Sequence, residues 1–225
     1  MTLSIAARCP RTGMVGVALS SSSICVASRC ARVRTGVGAA LSQNVTDPSL
    51  GEHLLDGVQT GLDGPQALAR VVASERHASW RQLVIVPLSG PPAVHTGARA
   101  LGVCAEALGR DCASAGNLLA NSAVPRIMVD AFEASRGHLA DRLLAALHAA
   151  VAAGGEAGPL HAAGLLVADA VSWPVVDLRV DWSEAAAPVS ELDALWQRYR
   201  PQLQAYVERA RNPAEAPSYG VPGDP

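Results

Sequence analysis

Thr2-Leu3-Ser4-Ile5-Ala6-Ala7-Arg8, then Cys9-Pro10-Arg11-Thr12-Gly13, then Met14-Val15-Gly16-Val17-Ala18-Leu19-Ser20: this opening decides the fold class. Two apolar runs of strand length flank a turn that Pro10 and Gly13 supply. The pattern predicts an antiparallel hairpin starting at the first residues of the chain. Downstream, Gly36–Gln43 reads as a third strand of small residues, over which a second layer or a ligand can approach the backbone closely.

Helices then arrive in pairs. Asp47-Pro48 starts one with Leu50, Leu54, Leu55 and Val58 on a single face, and Asp63-Gly64-Pro65 starts another. Strands resume at Arg81–Leu88 and Pro92–Thr96 around a Ser89-Gly90-Pro91 turn, with a further extended stretch over Asp111–Leu119. A second helix pair, Val124–Ser135 and Leu139–Ala153, ends at Gly154-Gly155. Strands His161–Ala168 and Val175–Asp181 precede a last helix from Pro188 to about Ala210, which Pro201 should kink. A doubly wound parallel sheet would alternate strand and helix strictly, and this chain does not. The expectation is an α+β fold with mostly antiparallel sheets, two of them face to face, each covered by helices: a four-layered αββα sandwich. One domain is expected over residues 1–211, with residues 212–225, rich in Pro and Gly, as a flexible tail.

Composition removes whole classes of function. The 225 residues carry a net charge of −2 with 4% aromatics, so no basic surface is available for a row of phosphates and few rings for stacking bases. Nucleic acid is not an expected partner. All 18 basic residues are arginine, which excludes a phosphate-loop lysine, a Schiff base and a lysine general base together. The five cysteines form no CxxC pair, which points to a reducing compartment rather than a disulfide or zinc framework. The start alternates instead of running apolar, and no stretch of about 18 residues could span a membrane. A cytoplasmic location is expected, with no membrane partner. Charged residues are 17%, against about 25% in an average chain. That suggests apolar surface covered in a homo-oligomer, most simply a two-fold dimer, with Trp196 and Tyr199 as interface candidates.

Chemistry has few places to sit. The six histidines are scattered without metal-ligand spacing, so neither a metal nor a cofactor is expected. No GxSxG elbow occurs, and Cys25 and Cys30 read as small core hydrophobes before they read as nucleophiles. What remains is the start of the chain. Met1 before a small Thr2 is a context in which the initiator methionine is removed. An N-terminal threonine then combines a nucleophilic hydroxyl with its own base, an α-amine of pKa about 7.7–8.0. Around it the sequence offers backbone N–H groups at Ser20 and Ser21, and the amides of Asn44 and Asn117 as oxyanion donors. Ser22, Ser42, Arg29 and Arg34 are candidates to hold a small-molecule substrate, the arginines by clamping a carboxylate. The bland alternatives stay open: Asn44 as a turn residue before Asp47, Asn117 as a loop residue beside Gly116, and the arginines as a solvated edge.

MTLSIAARCPRTGMVGVALSSSS, ARVRTGVGAALSQNVTDPSLG and GNLL at Gly116–Leu119 together resemble the bacterial family called domain of unknown function 1028. That family is regarded as similar to the N-terminal nucleophile (Ntn) hydrolases. The resemblance implies the αββα sandwich, Thr2 as nucleophile and amide-bond hydrolysis, and it implies no substrate. The lysine that proteasome-type relatives place beside their threonine has no counterpart here. The expected function is a small-molecule amidohydrolase acting through Thr2. The competing expectation is a non-catalytic binding or assembly subunit on the same fold, with a Cys25-dependent hydrolase a distant third.

Overall fold

Alternation along β1 (Thr2–Arg8) sends Leu3, Ile5 and Ala7 to one side of the sheet and Ala6 to the other, so this strand is buried on both faces. The computed structural model describes residues 2–222. β1 pairs antiparallel with β2 (Val15–Ser21) from Leu3↔Ser20 to Arg8↔Val15. Gly13 closes the turn at φ +79°, donating to the Cys9 carbonyl at 2.9 Å. On its other edge β1 pairs with β8 (Cys112–Asn117), starting at Thr2↔Asn117. The six-stranded sheet is completed by β7 (Ala105–Leu108) outside β8, and by β9 (Ala162–Ala168) and β10 (Pro174–Val180) outside β2. A four-stranded sheet runs β3 (Ala31–Arg34), β4 (Gly38–Asn44), β5 (Arg81–Pro87), β6 (Ala93–Thr96). Every named ladder is antiparallel.

The two sheets face one another through small and branched residues: Ala6, Val17, Leu19 and Ala113 on one side, Ala39, Leu41, Val84 and Val86 on the other. Leu3 and Ile5 instead pack under α4 (Val124–Ala134) and α5 (Leu139–Ala152), against Met128, Phe132, Leu143 and Leu147. On the outer face of the smaller sheet, Leu83 and Ile85 meet Leu54, Leu55 and Leu68 of α2 (Ser49–Gln59) and α3 (Gly64–Ser74). Asp63 caps α3 reciprocally with Gln66, as its sequence position foretells.

Some segments differ from the sequence reading. The segment before the third expected strand, to which the sequence reading gives no element, forms a short helix α1 (Val26–Cys30) and then β3. β7 lies in a stretch with no strand expectation. Pro201 does more than kink the last helix: α6 (Pro188–Tyr199) and α7 (Leu203–Arg211) are separated by a 3-10 turn at Arg200–Gln202. The expectation that Trp196 faces a second subunit is corrected. Its ring is fully buried in this chain's own core, stacked 5.2 Å from His138, with the indole N–H donating to Asp141 at 2.7 Å. Tyr199 is half-buried and donates to the Val175 carbonyl. No helix among the described residues is long and apolar enough to cross a membrane.

Candidate functional site

The end of β1 is where polar groups enter the space between the sheets. Thr2 and Ser4 are two residues apart on one strand and share its inter-sheet face, as does Asn117, directly opposite Thr2. Across the gap stand Gln43 and Gln82, neighbours in register on β4 and β5. Ser4 Oγ donates to Gln43 Oε1 at 2.7 Å, and Gln43 Nε2 donates to Gln82 Oε1 at 2.7 Å. Gln82 Oε1 also accepts from Asn117 Nδ2 at 3.0 Å, while Gln82 Nε2 donates to the Gly116 carbonyl at 3.0 Å. All four side chains are fully buried. A polar chain in the middle of an apolar interface stabilises only if its members satisfy each other, and these do, with one exception. Asn117 Oδ1 is buried with no hydrogen-bond partner among the described residues.

The other candidates divide. Ser21 shares the Thr2 face of β2, its Oγ accepting from Ser23 N at 2.9 Å. Ser20, opposite Leu3, points to the helical side and donates to the Ala162 carbonyl. Ser42 faces the α2 side and donates to the Asp47 carbonyl, fixing the turn into α2. Asn44, at φ +73°, gives Nδ2 to the Trp80 carbonyl and takes Leu101 N–H on Oδ1, so its amide pins two loops. Arg29 donates to the Ile24 carbonyl within the α1 segment. Arg34 stands at the Gly38 end of β4, on the order of 20 Å along the strand from Asn44, and is held by Glu52, Asp56 and Gln59. The structure therefore gathers Thr2, Ser21, Ser22 and Asn117, and leaves Arg34 outside.

One residue of this cluster has no place in the sequence reading. Gly154 and Gly155, both at positive φ, turn the chain out of α5 and deliver Glu156 to a bridge with Leu119. Gly116 permits this: a Cβ there would come within 2.6 Å of the Leu119 side chain. Glu156 is 4% exposed, and its Oε2 accepts from Ser22 N–H at 3.2 Å. Its Oε1 is buried without a partner among the described residues. Burial raises the carboxyl to about 7, opposed by the hydrogen bonds from Ser22. A lone Glu in a Gly-rich turn reads from sequence as a solvated loop residue. Nothing local distinguishes it.

The family of unknown function DUF1028 matches residues 2–192. This chain belongs to the DUF1028 family. No curated protein sequence matches it. Among solved structures it is similar to the crystal structure of SPO2555, a DUF1028 protein from Silicibacter pomeroyi. The two are 31% identical, with a TM-score of 0.82, over 88% of each chain.

In this DUF1028 chain two of the thiols are poorly suited to attack. Burial raises Cys30, and Cys112 is pushed up to about 12 by burial and the nearby Glu133 carboxylate. No cluster of His, Cys, Asp or Glu among the described residues is arranged to hold a metal ion. A cleft of about 320 Å³ lies along Ala31–Val33 and Asp177–Arg179, and neither Thr2 nor Asn117 lines it.

Proposed function

We propose that this DUF1028 protein is a small-molecule amidohydrolase whose nucleophile is Thr2 once Met1 has been removed. In the same reading its layers correspond to the four-layered αββα sandwich of the Ntn hydrolases. Met1 lies outside the described residues. One observation carries the proposal: Thr2 begins a strand that is paired on both edges, and shares its face with a buried amide network in an otherwise apolar interface. A strand end paired in this way supports the reading, because nucleophilic catalysis needs a hydroxyl held in one place.

The chemistry closes on the residues present. The α-amine takes the proton of Thr2 Oγ as Oγ forms its bond to the amide carbon, and the carbonyl electron pair moves to oxygen. One N–H of Asn117 is held by Gln82, and the second is the donor assigned to that oxyanion. The α-ammonium then protonates the leaving nitrogen, the C–N bond breaks, and water hydrolyses the Thr2 ester. The competing reading, a non-catalytic binding subunit, draws support from the 4% exposure of Thr2. Intact mass shows whether Met1 is gone. A panel of amides, ureides and lactams offered to wild type and Thr2→Ala in parallel separates the readings: turnover lost in the variant supports hydrolysis, and no turnover by processed wild type favours binding.

A further inference from the structure

β1 stops at Thr2 while the chain on either side of it runs on, β2 into Ser22 and β8 toward Leu119. Adjacent strands stand about 4.8 Å apart, so β2 and β8 flank the Thr2 end of β1 about 9.6 Å from one another. Glu156 reaches both flanking segments. Its backbone bridges to Leu119, two residues past the partner of Thr2, and its carboxylate reaches Ser22 N–H on the opposite side. Two buried acceptors there have no donor among the described residues, Glu156 Oε1 and Asn117 Oδ1. Burying such atoms is costly unless a donor arrives. A primary ammonium answers the requirement, with three N–H bonds and a positive charge.

We infer that Glu156 is the positioning residue and counter-charge for the α-amino group of processed Thr2. The inference rests on the N-terminal threonine reading above. The carboxylate turns the amine toward the Thr2 hydroxyl, and it stabilises the ammonium that forms when Oγ–H breaks and N–H is made. It thus fills a place that no lysine can take in this chain. The pattern is that of a buried carboxylate orienting a base. Burial lifts the Glu156 carboxyl, and the hydrogen bonds from Ser22 draw it back toward ionisation. Other titratable groups on the surrounding segments are turned elsewhere. The His161 ring pairs with the Ser183 carbonyl and stacks on Trp182, and the Cys104 thiol donates to the Leu101 carbonyl.

The lysine-free sequence makes the test direct, because the α-amino group is the single primary amine that acetic anhydride can acylate stably. The rate of that labelling against pH, read by intact mass, gives the midpoint of the amine. In the folded wild type it should lie above the midpoint of the peptide Thr-Leu-Ser-Ile-Ala-Ala-Arg, since a buried amine without a counter-charge would shift below it. Glu156→Gln should lower the midpoint by about one pH unit, a tenfold rise in neutral amine below both midpoints, and Glu156→Asp should stay near wild type. A wild-type midpoint at or below the peptide's, or no shift in Glu156→Gln, overturns the inference. The comparison with the peptide decides even where the Gln variant does not fold. Met1 retained on every chain overturns the Thr2 reading and this inference together, whereas loss of Met1 with an unshifted midpoint overturns this inference alone.

Discussion

Ser4 and Gln43 are bonded to each other at 2.7 Å across the two sheets, hydroxyl to amide oxygen, with neither side chain touching solvent. The bond ties the central strand of one sheet to an inner strand of the other. It also begins the chain of amides that ends at Asn117.

Gln82 carries the most in that chain, accepting from Gln43 and Asn117 and donating to Thr96 and the Gly116 carbonyl. Gln82→Ala strands two buried donors at once, and should cost about 3 kcal/mol in urea denaturation. Ser4→Ala removes one donor and should cost about 1 kcal/mol. A loss in Gln82→Ala no larger than in Ser4→Ala would mean that water replaces the amide.

Thr2 offers a series of its own. Thr2→Ala should abolish turnover of any amide the wild type cleaves, while the melting temperature stays within a few degrees. Thr2→Ser keeps both hydroxyl and amine and should retain measurable activity. Asn117→Ala should lower kcat by about 10²–10³ with a smaller effect on KM, the signature of a group acting on the transition state.

Stability should depend on pH through Glu156. Unfolded, its carboxyl titrates near 4.3, and folded, near 7, so between those values the native state holds a proton that the unfolded state has released. The contribution is fully present below about pH 4.5, fades as pH rises through about 7, and amounts to about 3 kcal/mol at most. Denaturation midpoints of wild type should fall over that window relative to Glu156→Gln. Parallel curves for the two proteins would remove Glu156 as the cause.

At the other end of β1, Arg8 Nε meets Asp111 at 2.9 Å, and its Nη1 donates to the Pro87 carbonyl at 2.9 Å and to the Gly90 carbonyl. The guanidinium therefore joins both sheets. Arg8→Ala should cost about 2 kcal/mol, and Arg8→Lys should restore less than half of it, because an ammonium cannot reproduce the planar fork. Thermal melts of the two variants check the order.

The opening hairpin and both helix pairs are legible because their signals are local: a two-residue period around Pro10 and Gly13, and apolar faces behind Asp47-Pro48 and Asp63-Gly64-Pro65. β7 is not, since Ala105–Leu108 is an edge strand with Glu106 exposed and carries little apolar pattern. Trp196 illustrates a different limit. An apolar ring on a helix reads the same whether its pocket belongs to its own core or to a neighbour, and the His138 and Asp141 contacts that settle it come from a distant helix. Within the site, Thr2 and Asn117 are visible as residue types, but Ser20 and Ser42 could have been set apart by their parity along the strand. Glu156 escapes altogether, because it is the strand order that brings residues 2, 22, 119 and 156 together.

The partner of Thr2 is synthesised about 115 residues after it. At about 5–20 residues per second, translation leaves the first strand without its second neighbour for roughly 6–23 s. On the Thr2 reading proposed above, Met1 would be removed from the nascent chain, before β8 emerges and pairs with a strand end at which Thr2 is afterwards 4% exposed. Overexpression that outruns this interval would yield a folded but permanently immature population, and two masses in a single preparation would be its mark.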